Sequence, residues 1–366
     1  MAQERGDLRS QSLDLLRFPL ALFVVAVHVF APFPFIEHDF EAAQWLERFV
    51  RAFIKDQSVP VYFFIAGYVF FLGMRFSLEA YRGKLRRRCS SLLMPYLMWN
   101  SVALLYLLKI FITGGDASQL NLSLQAFLES FWDDRYGIVP YTAGAADGTF
   151  PIDKPLWFVR DLMLMALASP AIHAIYRMGQ RRASAVLGAA TLIWALRLPL
   201  PGHALQLLEA FVFFAWGGLL SYHKRDMMIE FRRFLLPSAV LYPAVALTIF
   251  ILSPAWPHTT AYIKSVNIIV GLFFFYNVAA WLLEKGMCRV SKFLASASFF
   301  IYCGHFILLD PVTRRLYGLL SPESNAGITA FYLASYACIV FLLLGGYALL
   351  RRFAPRILRL FTGGRL

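Results

Sequence analysis

Apolar runs of about twenty residues, the length a helix needs to cross a hydrocarbon core ~30 Å thick, recur about ten times along the chain. Few architectures accept such a pattern. A bilayer offers no partner to backbone N–H and C=O groups, so spanning segments must be helices or closed barrels. Composition agrees: 59% of the 366 residues are hydrophobic and 16% are charged, against about 25% charged in an ordinary soluble domain. The predicted fold is therefore all-α and polytopic, with about 10 transmembrane helices. They are expected near 12–34, 58–76, 91–113, 155–176, 184–199, 204–222, 235–253, 263–283, 292–312 and 327–350. Residues 1–366 read as a single membrane domain, embedded over about 12–350 and closed by a basic tail at 351–366.

The formal charge of +13 does not point to nucleic acid. Most basic residues sit in short runs on one side of the alternating spans, as the positive-inside rule predicts, which places both termini in the cytoplasm. The stretch from Gly114 to Lys154 then becomes the largest loop on the outer side. Cys89, Cys288, Cys303 and Cys338 lack CxxC or Cys/His spacing, so neither a disulfide framework nor a metal site is expected. The N-terminal run resembles a signal sequence, but it contains Asp14 and Arg17 and lacks a small-x-small cleavage site. It reads as a retained helix.

That first run carries the most informative pair. Arg17 and His28 are separated by about three helical turns, so they return to one face roughly 16 Å apart. Pro19 brings a kink into question. Ionisable groups at membrane depth are costly and mark interiors or wet cavities. Asp14, three residues before Arg17, is placed to orient its guanidinium. A deep histidine serves equally as a base, a proton relay or an interhelical hydrogen-bond partner. Arg86, Arg87 and Arg88 form a cationic run that either binds phosphate or simply sets topology. Arg160 and Asp161 are embedded charges beside Trp157, itself an interface-anchor type. His305 shares a helix face with Tyr302 and is positioned to approach His28 across the bundle. Glu209 and Asp310 are embedded without a motif; His38, His203 and His258 read as loop or interface histidines.

LDLLRFPLALFVVAVHVF around Arg17 and His28 resembles the first-helix motif of the bacterial acyltransferase family 3, integral membrane O-acyltransferases. Further resemblances follow in order: VPVYFFIAGYVFF from Val59, with Ala66 where the family has a small hydroxyl residue; KLRRRCSSLLMPY from Lys84; LWFVRDL from Leu156; and FFIYCGHFIL from Phe299. Together they cover about 12–310. The resemblance implies transfer of an acyl group, usually acetyl, from cytoplasmic acyl-CoA to a hydroxyl of an extracytoplasmic glycan or related envelope molecule. It implies that Arg17 and His28 serve catalysis and donor handling, with His28 as general base. Arg86, Arg87 and Arg88 would face the CoA phosphates, and Asp14, Trp157, Arg160, Asp161, Tyr302 and His305 would support the site or the acceptor. No permanently bound cofactor, metal or nucleic acid is expected; the partners are acyl-CoA, a glycan or lipid-linked acceptor and membrane lipid. The location implied is the bacterial inner membrane. A transporter or flippase without covalent chemistry is the competing expectation, since embedded charges and histidines also suit a carrier.

Overall fold

The computed structural model describes residues 2–31, 33, 36, 40–114, 117–139, 149–200 and 203–365, and no strand occurs among them. His38 and parts of the outer loop lie outside the described residues. In chain order the helices are α1 (Ala2–Val29), α2 (Glu41–Phe53), α3 (Ser58–Phe71), α4 (Leu78–Arg88), α5 (Met94–Thr113), α6 (Leu124–Ser130), α7 (Trp157–Leu167), α8 (Ser169–Arg177), α9 (Gln180–Ala195), α10 (Ala204–Tyr222), α11 (Met227–Arg232), α12 (Leu235–Leu252), α13 (Pro257–Glu284), α14 (Lys292–Leu320), α15 (Asn325–Phe353) and α16 (Pro355–Thr362). A π-helical turn, Cys89–Leu93, links α4 to α5.

Every expected span is helical, but not every one is long. Among the described residues seven helices have the length and apolarity to cross a membrane, or eight if the bent pair α7–α8, angled by 53°, counts as one. The difference from about ten lies in α3 and α9, with 14 and 16 residues, short of the ~20 a straight span needs. Backbone geometry explains both ends. Gly73 adopts φ +64 just past α3, and Arg197 adopts φ +47 just past α9, so neither helix continues. Apolarity alone carried the expected 58–76 and 184–199 runs beyond those breaks.

α1 is the central element, packed against α3, α13, α14 and α15. It begins well before its apolar run, and Arg9 anchors the extension by donating to the Tyr68 hydroxyl at 3.1 Å. Pro19 lies inside the helix without ending it. Two side chains of α3 fasten onto its backbone: Tyr62 donates to the Arg17 carbonyl at 2.7 Å and Ser58 to the Leu20 carbonyl at 2.9 Å.

The tightest helix pairing is between α3 and α10. A Cβ built on Gly67 would stand 1.9 Å from the Phe214 carbonyl oxygen, and one on Gly217 would stand 2.0 Å from that of Phe64. Each glycine admits the other helix's backbone, as small residues do in membrane bundles. Gly217→Ala is therefore expected to lower stability by at least the ~1–3 kcal/mol of an overpacked core, read as thermal unfolding in detergent. Gly188→Ala, with nothing within 4 Å of the added carbon, is the matched control. Equal melting of the two variants would contradict the close approach.

The tail expected at 351–366 is folded. Its helix α16 packs against α5, with Trp99 Nε1 donating to the Phe361 carbonyl at 3.0 Å. The stretch between α5 and α7 buries Ala126, Ile138, Val139 and Ile152 against Ala103 and Leu104 of α5.

Candidate functional site

Arg17 and His28 reach different cavities. The first cavity, about 180 Å³, is lined by Arg17, Arg88 and Arg365 together with Tyr62, Phe299 and Tyr302. The second, about 410 Å³, is lined by His28, Lys55, Asp56, Trp157, Arg197, Gln206, Glu209 and again Tyr302. Tyr302 is thus shared between the two. Its hydroxyl donates to the Pro155 carbonyl, which fixes the ring to the start of α7. A helix rising 1.5 Å per residue carries the chain from one cavity to the other over roughly 16 Å between Arg17 and His28.

The first cavity takes its guanidinium groups from α1, from α4 and from the turn that follows α16. Asp14 pairs with Arg17 at 3.1 Å, the arrangement the i,i+3 spacing suggests. Of the arginine run, Arg88 alone lines the cavity, whereas Arg86 and Arg87 are exposed. Arg88 also lies over the Phe70 ring, 5.8 Å from its centroid. The π-helical turn begins immediately after it, and such turns add a residue to the helix and re-aim its neighbours.

In the second cavity His28 lies beside His305, their ring centroids 5.2 Å apart. His305 Nδ1 stands 2.7 Å from the Tyr302 carbonyl. A carbonyl only accepts, so Nδ1 must carry the proton, and the neutral ring presents Nε2 as an acceptor. That Nε2 is buried and has no hydrogen-bond partner, a costly state for a polar atom. The arrangement can hold a base: an unprotonated buried nitrogen adjoins an imidazole that reaches an open cavity. Phe306 packs edge-on against the His28 ring, with centroids 5.4 Å apart.

The polar rim of this cavity went unremarked in the sequence reading, apart from Glu209. Lys55 and Asp56 are presented by the end of α2, where Tyr242 donates to the Phe53 carbonyl and Asn267 to the Ala52 carbonyl at 3.3 Å. Asp56 takes φ +69, a conformation aspartate tolerates better than most residues. Trp194 Nε1 donates to Glu209 Oε2 at 3.1 Å, which aims that carboxylate. Trp157 lines the same cavity.

Arg160 and Asp161 are elsewhere. They are only 2% and 0% exposed and line neither of these cavities. Arg160 Nε donates to Asp161 Oδ1 at 2.9 Å, Nη1 to the Trp132 carbonyl at 2.7 Å and Nη2 to the Thr149 carbonyl at 3.0 Å. His203 Nε2 is 2.8 Å from Asp161 Oδ2 and 2.6 Å from Arg160 Nη2; it can donate to the first or accept from the second, not both. This cluster ties the outer loop to α7. Asp310, on α14, pairs with Arg314 in the open at 2.7 Å. Among the described residues no cluster of His, Cys, Asp and Glu is placed to hold a metal.

Comparison with known proteins adds an independent line. Residues 10–351 match the family described as "Acyltransferase domain". The succinoglycan biosynthesis protein ExoH of Rhizobium meliloti (strain 1021) is 25% identical over 97% of this chain and 92% of its own length. No solved structure matches.

Proposed function

The chain belongs to acyltransferase family 3 and is a membrane acyltransferase, and from that premise we propose that it moves an acyl group from acyl-CoA to a hydroxyl of a polysaccharide or its lipid-linked precursor. The observation that carries this reading is the pair of cavities meeting at Tyr302, one lined with guanidinium groups and one with His28. Guanidinium forks suit the phosphates of CoA. In this reading the cationic cavity faces the cytoplasm of a bacterium, and the His28 cavity faces the outside of its inner membrane. The pantetheine arm, threaded past Tyr302, brings the thioester to His28.

The chemistry balances without a metal. His28 takes the proton of the acceptor hydroxyl as its oxygen attacks the thioester carbonyl. The tetrahedral intermediate then collapses, breaking the C–S bond. The CoA thiolate leaves, and the proton held on His28 returns to solvent or to the thiolate. The cationic Lys55 and Arg197 at the rim of the cavity offer charge for an oxyanion or an acidic acceptor. The relative named for succinoglycan biosynthesis supports a saccharide as the acceptor class.

Membranes carrying the protein are expected to move radiolabel from acetyl-CoA, or another short acyl-CoA, onto polysaccharide, as an ester released by mild alkali. Labelling no greater than in membranes lacking the protein, across a panel of short acyl-CoAs and native envelope glycans, would sink this reading.

A further inference from the structure

Arg365 belongs to neither the helix bundle nor the arginine run, yet it lines the cationic cavity. Several contacts put it there. Gly363 turns the chain at φ +63, and a Cβ at that position would lie 2.5 Å from the Ser91 carbonyl oxygen. Arg365 Nη1 donates to the same Ser91 carbonyl at 3.1 Å and to that of Thr362 at 2.9 Å. The Ser91 carbonyl belongs to the π-helical turn Cys89–Leu93. The guanidinium then stacks on Phe299, 4.1 Å from the ring centroid.

Three guanidinium groups from distant points of the chain, Arg17, Arg88 and Arg365, thus line one cavity. Among the described residues Asp14 is the only carboxylate in an ion pair with any of them, and it pairs with Arg17. Burial, then the like charges of Arg17 and Arg88, lower the Arg365 guanidinium to about 10, with Cys303 opposing. Cations held together against their own repulsion call for an anion between them.

We propose that the C-terminal turn carrying Arg365 contributes to the donor cavity and that Arg365 binds a phosphate of the donor together with Arg17 and Arg88. This rests on the acyl-CoA reading above. It gives the C-terminal segment a role in ligand binding, where a tether for α16 would need only the two carbonyl contacts. A planar fork with two donors spent on carbonyls retains N–H groups for a phosphate oxygen.

The test is calorimetric binding of CoA, and separately of pantetheine, which lacks the phosphates, to the full-length protein in detergent. Wild-type protein is expected to bind CoA more tightly than pantetheine. Arg365→Ala should weaken CoA by about tenfold or more, the loss of one charge-assisted contact, and leave pantetheine unchanged. Arg365→Lys should fall between, keeping the charge and losing the fork. Unaltered CoA affinity in a folded Arg365→Ala protein would overturn the proposal, and so would an equal loss for CoA and pantetheine, the signature of a purely structural tether. If Arg365→Ala does not fold, Arg365→Lys decides on the same criteria. Wild-type protein that binds no CoA would overturn the donor reading itself, so the two failures are distinguishable.

Discussion

His28→Ala is expected to lower acyl transfer by about 10²–10⁴-fold, the range for losing a general base, while leaving CoA affinity unchanged. The split follows from the geometry. His28 lines the cavity beyond Tyr302, and the guanidinium groups line the other, so removing the imidazole touches no donor contact. Arg17→Ala should show the converse, weakened CoA binding with a smaller effect on turnover at saturation. His305 enters through its neighbour. With Nδ1 committed to the Tyr302 carbonyl, its unprotonated Nε2 makes no hydrogen bond in this structure, and the ring lies beside that of His28, centroids 5.2 Å apart. A small ring shift that let Nε2 accept a hydrogen bond from one His28 nitrogen would leave the other His28 nitrogen as the base. His305→Ala should then cost less than His28→Ala, and the double variant should be no slower than His28→Ala alone, because groups acting as a unit are non-additive. Multiplicative losses would mean that His305 acts on substrate independently. Full activity in a folded His28→Ala protein would remove the general base from the mechanism altogether.

Much of this site was legible in the sequence because its signal is helical spacing. Arg17, His28, Tyr302 and His305 lie on two long helices, where the period of 3.6 decides which residues share a face. The pairing of α1 with α14 needed only that both interior faces carry polar groups with nowhere else to go. The arginine run shows the limit. Arg86, Arg87 and Arg88 are equivalent as letters, and only the packing of α4 and the π-helical turn after it puts Arg88 in the cavity. Arg365 was illegible for a related reason: a basic C-terminal run is what topology alone would produce, and its docking depends on the Ser91 backbone carbonyl, which no side-chain pattern marks. Lys55 and Asp56 depend on a left-handed backbone at Asp56, which a sequence does not announce. The spans α3 and α9 were overestimated in length because apolarity carries no record of a positive φ.

Arg160 and Asp161 show how rarity picks out residues without saying what work they do. A charge in a membrane segment is functional by default, yet this pair is sealed against both solvent and the two cavities. The partners of Arg160 explain why. Besides Asp161 and His203 they include the backbone carbonyls of Trp132 and Thr149, which any residue supplies and no side-chain pattern marks. Around this cluster the same loop is held at two more points: Tyr96 donates to the Phe131 carbonyl, and the Asp153 N–H donates to Asn100 Oδ1 at 3.1 Å. Asp161→Ala leaves the Arg160 guanidinium buried without its counter-charge, a change that typically costs about 3–5 kcal/mol. A large fall in thermal stability is therefore expected, together with faster proteolysis of the 131–153 loop. Activity should fall only as far as folded protein is lost. Asp161→Asn keeps the shape but not the charge and should fall between Asp161→Ala and the native protein. If instead Asp161→Ala melted normally and lost only turnover, Asp161 would belong to the chemistry and the second cavity would have to extend beyond Trp157 to Asp161.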